Sequence, residues 1–250
     1  MGWSISTQRT NFGALRHIAC VAHHTDGRGA RPYKHGMCFS SEASFTTSVV
    51  LLLVGAASVR RTRSLREWPY ALIPLCFAMQ QLLEGGLWLS LDQPQACFSA
   101  QLTLGYSVFS QVFWPVYIPL AVYLLEPAGL RRRFIGLIGL GGSMVGAYLA
   151  WYMAQIPVLA QVRGGHIAYV FPHFHQPLAT ALYLCAACVA PLASHWRPVR
   201  WFGICTSLSL LATAYFYAQW FISTWCFFAS WLSVLVWLYF AKRPPTAQSA

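Results

Sequence analysis

The chain has 250 residues, of which 57% are hydrophobic and only 9% charged, and its mean hydropathy is +0.48. Values so far from soluble averages exclude an ordinary soluble domain and point to an all-α, polytopic membrane protein. A formal charge of +11 would suit a nucleic-acid partner only as a soluble basic face; here the cations fall between apolar runs, which excludes that class.

Residues 1–36 lack an apolar run or periodicity and scatter Arg9, Arg16, Arg28, Arg31 and Lys34 among His17, His23, His24 and His35. They read as a disordered tail or as an untranslated upstream extension, with Met37 the favoured start. Seven apolar stretches follow, near 43–59, 69–91, 99–125, 134–156, 177–194, 199–221 and 224–241. Each reaches or approaches the ~20 residues that a helix needs to cross a bilayer. The expectation is a seven-helix transmembrane bundle over 37–241 and a tail over 242–250. No stretch resembles a removable signal peptide, and no strand is needed.

Orientation follows from the basic residues, because short cytoplasmic loops carry the excess of Lys and Arg. Arg60, Arg61, Arg63 and Arg66 follow the first stretch, Arg131 to Arg133 the third, Arg197 and Arg200 the fifth, and Lys242 and Arg243 the seventh. The opposite loops contain only Arg163. The N-terminus is therefore expected outside and the C-terminus in the cytoplasm, across the cytoplasmic (inner) membrane. Ile222-Ser223 is then a tight outer turn.

Glu84 is the one acid inside a long apolar run. An ionisable group costs free energy there, which makes it a functional-site candidate. It lies roughly 10 to 12 Å below the outer end of the second stretch. Gln80, Glu84 and Trp88 share a helix face by their i, i+4, i+8 spacing, with Gln81 three residues before Glu84. Tyr106, Ser107, Ser110, Gln111 and Trp114 form a second stripe. Tyr152, Tyr215, Gln219, Trp225 and Cys226 add polar or aromatic groups in the outer half, so an outward-opening pocket with a carboxyl at its base is expected. The same Gln and Tyr side chains also suit plain interhelical hydrogen bonding. Gly136, Gly139, Ser143 and Ala147 form a small-residue stripe suited to close helix contact.

His173 and His175 alternate in an outer loop with His166 nearby, a weak signal for a transition metal such as zinc or copper with a cysteine or Glu84 as a further ligand. Ordinary surface histidines explain it too. Cys38 and Cys97 lie where an outer disulfide is plausible. Were Met37 removed, Cys38 would place a thiol beside a free amine, a candidate nucleophile. Cys185-Ala186-Ala187-Cys188 sits in a transmembrane run and reads as packing. A retinal protein is excluded, since Lys34 and Lys242 are the only lysines.

Three segments carry a resemblance: Met37-Cys38-Phe39-Ser40-Ser41-Glu42-Ala43-Ser44-Phe45, Phe77-Ala78-Met79-Gln80-Gln81-Leu82-Leu83-Glu84-Gly85 and Phe221-Ile222-Ser223-Thr224-Trp225-Cys226-Phe227-Phe228-Ala229. Together they resemble an uncharacterised family of multipass bacterial membrane proteins whose members open Met-Cys-Phe-Ser with Ala-Ser-Phe a few residues on. The resemblance spans most of the chain from Met37 to Ala241. It implies a multipass fold and carries no activity. Two functions stay open: binding or transport of a small polar or cationic ligand around Glu84, with cation-π help from Trp88, Trp114 and Trp225, or an intramembrane enzyme in which Glu84 is general acid or base, alone or with a metal.

Overall fold

The computed structural model describes residues 40–91, 98–163, 165–171, 175–217 and 220–242. Among these, seven helices and one hairpin follow in chain order: α1 (Ser41–Val59), α2 (Leu65–Leu91), α3 (Ser99–Leu125), α4 (Leu130–Gln155), β1 (Leu159–Arg163), β2 (His166–Val170), α5 (Gln176–Leu192), α6 (Arg197–Phe216) and α7 (Phe221–Ala241). All the helices except α5 are long and apolar enough to cross a membrane. The expected seventh crossing is therefore not met by length, because α5 is short.

The buried face of α1 is more polar than its exposed face, the reverse of a helix in a soluble bundle. In α1 the buried positions are Ser44, Thr47, Ser48, Leu51, Gly55 and Ser58, while Val49 and Leu53 face outward at 57% and 69% exposure. Small residues let backbones approach closely, and hydroxyls then bond across helices. Ser48 Oγ donates to the Ala78 carbonyl at 2.9 Å. A Cβ on Gly55 would fall 2.4 Å from Leu75 Cγ, and one on Gly85 2.9 Å from the Phe45 ring. These contacts lay α1 along α2.

Prolines shape α3. Pro119 has no N–H to give the Pro115 carbonyl four residues back, and that carbonyl turns toward α4, where a Cβ on Gly142 would stand only 2.0 Å from it. Gly146 meets Val116 Cγ2 and the Val112 carbonyl in the same way. The small-residue contact of α4 thus runs through Gly136, Gly139, Gly142 and Gly146, whereas Ser143 and Ala147 are exposed. The expected stripe shared only its first two members with the real one, because the contact follows i, i+3 and i+4 steps about a different azimuth.

Just before Pro115, residues Val108–Phe113 widen into a π-helical turn, and Cys185–Val189 do the same in α5. The Tyr183 hydroxyl, just before the second widened segment, donates to the Ser110 carbonyl at 2.6 Å and ties α5 to the widened turn of α3. In π spacing the donor to Ser110 would be the N–H of Pro115, which does not exist. The tyrosine satisfies the acceptor instead.

The basic ends of the helices meet at one end of the bundle. There Tyr70 packs edge-on against Tyr239, Trp196 against Tyr239, and Tyr117 donates to the Pro69 carbonyl at 2.9 Å. Glu126 is only 3% exposed and accepts from Ser194 Oγ at 2.9 Å and from the His195 N–H, holding the α3–α4 connection to the start of α6. At the opposite end lies the hairpin, antiparallel with Arg163 paired to His166 in register. Gly165, at φ 81°, supplies the left-handed backbone that its two-residue turn demands. The expectation of no strands is corrected: β2 buries Ile167 and Ala168 and packs against α7.

Candidate functional site

Four elements converge on Glu84, which is 2% exposed. Its Oε1 accepts from Ser223 Oγ at 2.5 Å and its Oε2 from Gln81 Nε2 at 3.3 Å. Ser223 had been expected in an outer turn, but α6 ends at Phe216 and α7 begins at Phe221, so Ser223 lies in the first turn of α7 and points inward. On the same face of α2, Gln80 Oε1 accepts from Trp114 Nε1 at 2.6 Å, and the Trp114 indole stacks on Phe77 with ring centroids 3.9 Å apart. The Tyr106 hydroxyl and the Cys226 thiol lie beside the carboxyl from α3 and α7.

The hairpin roofs this chamber. Tyr169 stacks flat on Tyr106, centroids 4.6 Å apart and 6° between planes. Burial, and secondarily the Glu84 carboxyl, hold the Tyr169 phenol well above its ordinary value, so its hydroxyl remains a proton donor. The sequence placed Glu84 at the base of an outward-opening pocket; the carboxyl is instead enclosed, because β2 crosses over it. His166, at the start of β2, lies against Trp220 with centroids 4.6 Å apart. Burial lowers its pKa, which favours the neutral ring.

Hydrogen bonding in the chamber is incomplete. Gln81 Oε1 and the Tyr169 hydroxyl are buried without a partner, and the Tyr106 hydroxyl and Gln80 Nε2, which make no hydrogen bond of ordinary geometry, have only each other, Cys226 and the carboxyl within reach. Buried polar groups are nearly always satisfied, and leaving one bare costs about 1–3 kcal/mol. Four such atoms grouped near a carboxyl have the donors and acceptors to hold a polar guest.

A cavity of about 210 Å³ adjoins the chamber, with Tyr169 and Cys226 forming walls common to both. Its other walls are largely aromatic, from Phe171, Tyr183, Phe221 and Trp225, with Gln111, Ser110 and Thr180 as polar members. Phe221 and Trp225 stack at 5.6 Å, and Tyr183 meets Trp225 edge-on.

Of the residues proposed from sequence, Gln80, Gln81, Glu84, Tyr106, Trp114 and Cys226 come together in or beside the chamber, and Gln111, Trp225 and Cys226 line the cavity. Trp88 packs instead with Leu87 and Ile167, and Tyr152 with Phe171, Leu149 and Met153. Tyr215 is 82% exposed on the outside of α6. His175 is exposed at the start of α5 in a left-handed conformation, apart from His166. Cys38, Cys97, His173 and Gln219 lie outside the described residues. Among those described, no group of three or more His, Cys, Asp or Glu side chains is placed to hold a metal ion.

Sequence reasoning missed Ser223, Tyr169 and Tyr183. A signal existed for the second: Leu159-Ala160-Gln161-Val162-Arg163 and His166-Ile167-Ala168-Tyr169-Val170 flank Gly164-Gly165, a spacing and turn chemistry that favour a two-residue hairpin. No curated protein and no solved structure matches the chain. A family model matches: residues 37–250, which include every residue of the chamber and the cavity, match a family of unknown function (DUF6629), and the chain belongs to that family.

Proposed function

We propose that this chain is a multipass protein of the cytoplasmic membrane, with its basic end in the cytoplasm, that binds or carries a small organic cation beside Glu84. The observation that carries the reading is the pairing of an under-satisfied carboxyl chamber with an aromatic-walled cavity. A carboxyl offers the counter-charge, aromatic faces attract cations by about 0.5–2 kcal/mol each, and the bare oxygens of Gln81 and Tyr169 accept from N–H groups. At about 210 Å³ the cavity is smaller than the ~300–1,000 Å³ typical of drug-sized ligands, which favours a guest of a few heavy atoms. The hairpin end is the outer end under this orientation, so access is from outside, past Thr180 and Gln176 at the exposed rim of the cavity.

The test is thermal unfolding of detergent-purified protein with tetramethylammonium, guanidinium or the neutral tert-butanol. One of the cations raises Tm in a saturable way, tert-butanol does not, and Glu84→Gln abolishes the rise. Stabilisation by neither cation, or stabilisation that survives Glu84→Gln, overturns the reading.

A further inference from the structure

A second concavity lies at the opposite end of the molecule, far from Glu84 and independent of its function. It measures about 970 Å³ and is formed by the ends of α4, α6 and α7. Four cations from three elements line it: Arg131 of α4, Arg197 and Arg200 of α6, and Lys242 just after α7. Arg197 and Arg200 are three residues apart and so share a helix face. None of the four meets an acid among the described residues. Glu126, the nearest carboxyl in sequence, turns inward to Ser194 Oγ and the His195 N–H.

Apart from His195 at the rim, the rest of the wall is mainly aromatic and aliphatic. Leu235 and Leu238 of α7 and Trp201 of α6 rise from the cationic rim along the long axis of the helices, and Trp201 is 60% exposed. A cluster of like charges at the mouth of an apolar slot is electrostatically unfavourable by itself. It fits a molecule that is anionic at one end and hydrocarbon at the other. Basic pockets between helices at the cytoplasmic ends of membrane proteins recognise lipid head groups in this manner.

We infer that this groove is a binding site for one anionic phospholipid, whose phosphate lies among Arg131, Arg197, Arg200 and Lys242 while an acyl chain follows Trp201, Leu235 and Leu238. Charge complementarity selects the head group, and the continuous apolar wall selects a lipid over a soluble anion. The orientation of Arg60 and Arg66 at the same end, outside the groove, provides an internal control for surface charge alone.

Native mass spectrometry of the full chain with phosphatidylglycerol or phosphatidylcholine, and competition with inorganic phosphate, tests the assignment. Wild type retains phosphatidylglycerol in preference to phosphatidylcholine. Arg197→Gln with Arg200→Gln weakens that retention about 30-fold, on the basis of two surface cations, whereas Arg60→Gln with Arg66→Gln leaves it within about twofold of wild type. Should the first pair fail to fold, Arg131→Gln with Lys242→Gln carries the same expectation. Equal retention of the two lipids, equal losses in groove and control variants, or displacement of the lipid by millimolar inorganic phosphate overturns the inference.

Discussion

Glu84 and Glu126 are both carboxyls withdrawn from solvent, at 2% and 3% exposure, yet their surroundings differ. Glu126 has a saturated environment: a serine hydroxyl and a backbone N–H converge on it, and the bonds join α3 to α6. Glu84 also accepts two hydrogen bonds, but its neighbours leave four polar atoms without a hydrogen bond of ordinary geometry. Burial alone therefore does not distinguish a structural acid from a site. The balance of donors and acceptors around the acid does, because fold-stabilising polar groups are closed networks and sites are open ones.

The contrast can be broken most forcefully at Glu126. Glu126→Ala strands the Ser194 hydroxyl and the His195 N–H, and is expected to cost about 3 kcal/mol, read as a large fall in Tm with no change in tetramethylammonium or guanidinium binding by the remaining folded protein. A cost below about 1 kcal/mol would mean that the Glu126 network is not structural. Glu84→Gln is expected to do the opposite. Stability should shift by less than about 1 kcal/mol, since the amide keeps an acceptor for Ser223, while cation affinity falls at least about tenfold through loss of the charge. A Tm loss as large as that of Glu126→Ala would erase the distinction.

Smaller effects sharpen it. Tyr169→Phe removes a hydroxyl that has no protein partner and retains the stack on Tyr106, so Tm should hold or rise slightly while cation affinity drops a few-fold, measured by the same titration. The smallest effect concerns pH. The folded His166 pKa lies below its unfolded value because of burial, so its contribution to stability is present above the ordinary histidine range near pH 6.5 and is lost as pH falls toward the folded pKa. Protonation would also set a charge opposite Arg163 in the hairpin register, which is unfavourable. Hydrogen exchange of β2, corrected for intrinsic rates, should show less protection at pH 5.5 than at pH 7.5, and His166→Gln should remove the difference.

The long helices were legible because apolar length is a strong signal. The limits of α3 agree with the sequence at both ends, since Pro94 and Asp92 precede it and Glu126-Pro127 follow. The helix α5 was less legible: apolar composition does not reveal that a chain stops at Leu192. Glu84 and its α2 partners were found from spacing, because i+3 and i+4 neighbours must share a face. Ser223 was not, since fusing the sixth and seventh stretches put it in a turn. Glu126 escaped notice because it sits just beyond the apolar run, where an acid has no evident cost until a distant loop closes over it. Tyr169 depended on a strand pair folded inward, a contact between distant segments that local spacing does not show.

The widened turn of α3 has one more consequence. Each residue advances an α-helix by about 100°, and a π turn accommodates one residue more than an α turn. The segment Val108–Phe113 therefore sets the phase between the two halves of α3, so that Trp114 and Tyr106 can serve the same chamber from either side of it. Removing a single residue there would leave a helix of nearly unchanged length and hydropathy. It would also swing Tyr106 about a quarter turn away from Glu84, a frameshift in angle in place of one in code.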